Sequence, residues 1–448
     1  MKRREALKQM GVGFGMLALA AEAATAATGK PHFAPRAKRV VFLFLNGGPS
    51  HVDTFDPKPE LSRFDATAAP DRFQKFEGGK STLLGSPFRF QRYGQSGIEV
   101  SELFPKLGAL IDECCVIRSM HTDNPGHEIA ITRMSTGHLA SGQPSMGSWV
   151  TYGLGTENQN LPGFVVLCPG LPVMGTQLWT SAYLPGIYQG VHVRNREEMD
   201  PARLIQYLRT TRVNKADQRR QLDLLGKLNR MEMDQTGNEP ELEASIESME
   251  LAFRMQTEAL DGFDLRKENE VTRARYGDSY FGRGCLMARR LLERGVRMVE
   301  IYWGNRSPWD SHSDIFDHRK LAQISDGPIA ALIQDLKASG LLEETIVVIG
   351  GEFGRTPTKD ATVEYGRGHN NKGFSYVLAG GGFRRGLAYG ATDELGFDAI
   401  ENKVHVNDLH ATILHQLGLD HTRLTFRYSG RDFRLTDLGG NVVKGIIS

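Results

Sequence analysis

Seven consecutive residues, Arg39-Val40-Val41-Phe42-Leu43-Phe44-Leu45, hold no polar side chain after the first. A strand with one wet face alternates, so an unbroken apolar run predicts a strand covered on both faces, as in a parallel sheet. Similar runs predict strands at 111–117, at Val299-Glu300-Ile301-Tyr302, from Thr345 to Ile349 and from Phe374 to Leu378. Between the third and fourth, Leu321, Ile324, Ile329, Leu332, Ile333 and Leu336 recur at helical spacing, predicting a helix from about Arg319 to Lys337. A last helix is expected from Asn407 to Leu417, opened by Asn407 or Asp408. From Asp200 to about Gly277 the composition shifts to helix formers, and Leu242, Ile246, Met249 and Phe253 form one apolar stripe. This stretch reads as a helical segment packed over the sheet. Residues 56–100, rich in Pro, Gly and charge without clear period, read as surface excursions. Strands alternating with helices give an α/β fold with a mostly parallel sheet.

Polar chemistry follows the strands. The first predicted strand ends in Asn46-Gly47-Gly48-Pro49-Ser50-His51-Val52-Asp53. The one at Tyr302 leads to Trp309-Asp310-Ser311-His312-Ser313-Asp314, and the one at Ile349 leads to Gly351-Glu352-Phe353-Gly354-Arg355 and then Gly368-His369-Asn370. Ligands bind at the carboxyl ends of parallel strands, so the repeated placement of carboxylates and imidazoles there proposes a metal site. Asp310, His312, Glu352 and His369 offer mixed oxygen and nitrogen donors, a set suited to Zn²⁺ or Mn²⁺ ahead of Ca²⁺ or Mg²⁺. Singly, each has a plainer reading: His312 with Asp314 as a surface turn, Glu352 as a partner for Arg355, and His410 as a packed helix residue.

Charge excludes more than it suggests. Lys and Arg number 54 against 53 for Asp and Glu, so no overall field recruits nucleic acid or anionic lipid. Gly79-Lys80-Ser81 looks like the end of a phosphate loop, but Gln74 stands where the earlier Gly is required. Cys114, Cys115, Cys168 and Cys285 show no metal-knuckle spacing. Residues 1–26 combine a basic start with the pair Arg3-Arg4, a short apolar run from Met10 to Ala20 and the cleavage pattern Ala24-Thr25-Ala26. That run falls short of the ~20 residues a membrane span needs. A twin-arginine (Tat) signal peptide is therefore expected, with export through the Tat machinery to the periplasm or beyond and no stable membrane anchor.

The order of these motifs resembles the alkaline phosphatase and sulfatase superfamily, and within it the DUF1501 family, over nearly all of residues 38–448. The segment from Gly126-His127-Glu128 to Thr136-Gly137 is similar to the superfamily's nucleophile helix. Asn46 stands at its first metal ligand, Trp309-Asp310-Ser311-His312 at its middle motif, Gly351-Glu352-Phe353-Gly354 at an Asp-His-Gly turn, His369 at its late histidine, and Val406 to Leu414 at its closing helix. The resemblance implies an alkaline phosphatase-like three-layer sandwich with helices on both faces of the sheet and a helical insertion. It also implies a divalent metal, Zn²⁺ or Mn²⁺ with Ca²⁺ a further candidate, held by Asn46, Asp310, His312, Glu352 and His369. The chain departs from the pattern where His127 replaces a hydroxyl or modified cysteine, Asn46 an aspartate, and Phe353 a histidine.

Two functions follow as expectations. In one, an exported hydrolase acts on phosphate or sulfate esters of small molecules or polysaccharides: the metal activates water or polarises the ester, His127 serves as nucleophile or base, and Ser145 is a reserve nucleophile. In the other, the fold is kept as a catalytically degenerate binding or scaffold protein.

Overall fold

The structure, a computed structural model, describes residues 29–72, 81–195, 201–204, 214–236, 246, 249–251, 253–254, 261–360 and 365–448. The expected signal peptide, Leu242 of the helical stripe and Gly79-Lys80 lie outside the described residues.

One sheet organises the rest. Its strands are β1 (Arg39–Phe44), β2 (Cys114–His121), β3 (Phe164–Leu167), β4 (Val191–Val193), β5 (Met298–Tyr302), β6 (Thr345–Gly350), β7 (Phe374–Ala379), β8 (Leu387–Tyr389) and β9 (Val404–His405). They lie side by side in the order β8-β2-β7-β6-β1-β5-β3-β4, with β9 beside the end of β2. β1 runs parallel to β5 and to β6, pairing Val40 with Met298 on one side and with Ile346 on the other. Only β7 is antiparallel to its neighbours, β2 and β6.

The apolar run of β1 is explained by what lies above and below it. Val41 and Leu43 point into one core, built with helices α3 (Tyr280–Glu293) and α4 (Asp317–Ala338), numbered after α1 (His127–Thr136) and α2 (Met146–Leu154). Val40, Phe42 and Phe44 point into a second core, shared with α1, α2 and α5 (Val406–Gln416). Burying a large apolar side chain contributes about 1.5–3 kcal/mol, so a residue that left either face polar would forfeit one layer. The result is the expected three-layer sandwich. Glu300 interrupts the pattern in mid-strand: it is 4% exposed, beside Phe42 and Val166, and burial pushes its carboxyl up to about 8 although Tyr302 works against the shift.

Three expectations need correcting. Residues 56–100 are not wholly excursion: Phe90–Tyr93 and Ile98–Ser101 pair as an antiparallel hairpin, and Phe88, Ile98 and Val100 join the first core. The run at 111–117 opens as a 3₁₀ turn, Ile111–Glu113, before β2 begins. Helix α5 is capped by His405, whose ring accepts from Asn407 N, while Asp408 reaches back to the cap. Among the described residues, helices Pro201–Leu204, Lys215–Thr236 and Glu270–Tyr276 occupy the expected helical segment. No helix of the described residues is long and apolar enough to cross a membrane.

Candidate metal centre

The carboxyl ends of β1, β5 and β6 converge, and each sends a loop into the same place. After β1 comes Gly47 with φ 116°; a Cβ there would lie 2.6 Å from the backbone nitrogens of Trp309 and Asp310, so only glycine lets the β1 and β5 loops touch. Its N–H donates to both carboxylate oxygens of Glu352, at 3.0 and 3.1 Å. After β5, Trp309 is fully buried and stacked on Phe104, which fixes Asp310 on a rigid stalk. After β6, Glu352 is buried, and the strand Gly354–Lys359 pairs antiparallel with Arg367–Asn370, setting His369 opposite Arg355. His127 is the first residue of α1, entering from above.

Three imidazoles surround Asp310. His369 Nε2 and His312 Nε2 lie 3.2 and 3.1 Å from its Oδ1 and 2.8 Å from each other. His127 Nε2 lies 3.1 Å from its Oδ2. It does so without hydrogen-bond geometry, which leaves it a buried nitrogen with no hydrogen-bond partner. The opposite nitrogen of every ring meets an oxygen acceptor: His127 Nδ1 meets Glu352 Oε1 at 2.7 Å, His312 Nδ1 meets Asp360 Oδ2 at 2.6 Å, and His369 Nδ1 meets the Pro125 carbonyl at 2.7 Å. A carbonyl or carboxylate accepts, so each Nδ1 carries its hydrogen and each Nε2 is aimed at Asp310. Metal-ligating histidines are held this way, with the far nitrogen donating to an oxygen. Phe353 packs its ring 4.9 Å from His127 and 4.5 Å from His369, closing that side with an apolar wall.

Donor atoms of His127, Asp310 and His369 all lie within 4.8 Å of one another. Burial lowers the basicity of His127, but the carboxylates of Asp310 and Glu352 outweigh it and lift the ring to about 9. His312 is raised, chiefly by Asp310. His369 is lowered by burial, with Asp310 opposing. Asp310 resists the burial that would raise it: three rings and the Arg355 guanidinium hold its carboxyl far below the usual carboxylate range. Side-chain exposure rises from 13% for His127 to 21% for His369 and 40% for His312, so the cluster opens on the His312 side.

Not every expected residue joins this cluster. Asn46 spends its amide on the carbonyls of Gly304 and Arg306, at 3.1 and 2.6 Å, tying the β1 and β5 loops together. Ser145 is the N-cap of α2 and bonds Ser148. His410 is the packed helix residue it was expected to be, buried with Nε2 on the Met134 carbonyl. Three participants went unread in the sequence: Asp360, the Pro125 carbonyl, and Arg355 as a partner of Asp310, 2.6 Å away. Arg355 carried a signal in its place just past a strand end; a backbone carbonyl carries none.

The model of a family described as "Protein of unknown function (DUF1501)" matches residues 37–447. No curated protein matches the chain by sequence. Among solved structures, it is similar to the lipoteichoic acid synthase LtaP from Listeria monocytogenes (TM-score 0.39, 8% identity, 97% of this chain and 81% of that one). It is also similar to the PsFucS1 sulfatase from Pseudoalteromonas sp. (0.39, 10%, 92% and 72%). A third is a protein in the alkaline phosphatase superfamily from Vibrio parahaemolyticus (0.34, 12%, 94% and 76%).

Proposed function

The chain belongs to the DUF1501 family, and for this member we propose an exported, metal-dependent hydrolase of phosphate or sulfate esters. The observation that carries the proposal is the common orientation of His127, His312 and His369, each with Nδ1 on an oxygen and Nε2 toward Asp310. In this reading those three nitrogens and Asp310 hold a divalent ion, while Glu352 and Asp360 orient His127 and His312. Three imidazoles with one carboxylate favour Zn²⁺ or Mn²⁺ over the harder Ca²⁺. Three carboxylates, Asp310, Glu352 and Asp360, stand against one guanidinium, Arg355, and with neutral rings the net charge of −2 matches one such ion.

Bound there, the ion supplies a Lewis acid for an ester oxygen. The chain's own part is to hold and to exclude. Phe353 keeps water from one side, the His312 side admits the substrate, and the N-terminus of α1 favours an anionic group. His127 is assigned to the ion rather than to nucleophilic attack, because both its nitrogens face carboxylates. Ser145 and Asn46 are assigned to the fold.

The test is metal analysis of the purified protein, with turnover of aryl phosphate and aryl sulfate before and after chelation. Bound metal near one ion per chain, and turnover lost on chelation and restored by Zn²⁺ or Mn²⁺, is expected. Metal without turnover on any ester would favour the binding or scaffold role; absence of metal would remove the centre.

A further inference from the structure

Arg355 is wholly buried, and its guanidinium is spent on the protein rather than on solvent. Nε donates to the Gly48 carbonyl at 2.9 Å, and one terminal nitrogen donates to the Arg367 carbonyl at 3.3 Å. The other donates to the Gly47 carbonyl and, at 2.6 Å, to Asp310 Oδ1. These four acceptors belong to three separate segments: the loop after β1, the loop after β5, and the strand that carries His369. The Phe353 ring lies beside the guanidinium, 5.8 Å from Cζ to the ring centre.

Resting on the proposed metal centre, we infer that Arg355 is its positioning residue. The guanidinium fork fixes the rotation of the Asp310 carboxylate and the spacing between Asp310 and His369 before an ion arrives. A planar fork with donors in fixed directions can serve four acceptors at once; a lysine ammonium, a point charge on a flexible stem, cannot. An ion entering such a site meets ligands already in place. Without the fork, Asp310 would have to be ordered by the ion itself, and affinity would fall.

Cobalt titration of metal-free wild type, Arg355→Lys and Arg355→Gln, followed through the visible absorption of bound Co²⁺, tests this. Melting temperatures without metal are measured alongside. Both variants should bind Co²⁺ about 10–100-fold more weakly, the cost of losing a group that orients a ligand, with a changed band pattern because Asp310 turns. Wild-type affinity and an unchanged spectrum in either folded variant would overturn the inference. So would failure of both variants to fold, which assigns Arg355 to the fold alone. A wild type that takes up no cobalt overturns the metal centre as well, and so separates the two failures.

Discussion

His312 and His369 face each other through their Nε2 atoms at 2.8 Å, above one oxygen of Asp310. Because the Pro125 carbonyl takes the Nδ1 hydrogen of His369, the Nε2 of a neutral His369 is a bare lone pair. Two lone pairs do not sit at that distance unaided. A proton between them, or a cation shared by both, is what the geometry requires; Asp310 chiefly raises the basicity of His312, whereas burial lowers that of His369.

The second arrangement is testable by substitution. Asp310→Ala and His369→Ala should each lower bound metal by an order of magnitude or more, since a lost ligand leaves a direction that the packed site cannot refill. His421→Ala is the control: its Nδ1 pairs with Thr436, away from the cluster, and metal content should stay at the wild-type level. Equal metal in all three variants would dismiss the site.

Glu352→Gln separates an orienting role from a ligating one. The Gln carbonyl can still accept from His127 or from Gly47 N, so the ion should remain bound with affinity lowered about 10–100-fold. Metal analysis and competitive chelation would read this. A loss as deep as that of Asp310→Ala would make Glu352 a ligand instead.

Buried Glu300 gives a pH signature outside the site. Its carboxyl ionises near 4.5 in the unfolded chain and only near 8 when folded. Between those values the folded state holds a proton that the unfolded state has released, so stability falls as pH rises from 4.5 through 8. The effect is on the order of a few kcal/mol. Glu300→Gln should flatten the decline and raise the melting temperature at pH 8 more than at pH 5. Parallel melting profiles for the two proteins would refute the assignment.

Replacing Arg3 and Arg4 with lysine should trap the precursor inside the cell, because a Tat leader is read through that pair. Fractionation and N-terminal sequencing, with a mature start near Ala27, would check it. Unchanged export of the double variant would dismiss the Tat assignment.

β1, β6 and β7 were readable because burial on both faces makes each a run that needs no context, and β5 was readable despite Glu300; β3, β4, β8 and β9, two to four residues long, were not. The hairpin at 90–101 was missed although Ile98-Glu99-Val100-Ser101 alternates, because its strands are four residues each and Gln91-Arg92 breaks the period in the first. Asp310, His312, Glu352 and His369 could be nominated from their place after strands. His127 came only through family resemblance, as it opens a helix. Asn46 shows the limit of the family resemblance: at the position of the first metal ligand its amide knits two loops through the carbonyls of Gly304 and Arg306. Asp360 and Pro125 were invisible because their roles exist only in contact with residues far away in the chain.

That distance has a consequence for folding order. Glu352 and His127 meet across 225 residues of sequence, and His369 and Pro125 across 244. No short fragment of the chain contains the centre, and loops so long close late. An ion therefore cannot nucleate folding as it does in a small zinc domain. Bound at the proposed centre, it would only slow the escape from a fold already finished, so its removal should speed unfolding while leaving the early steps of refolding untouched.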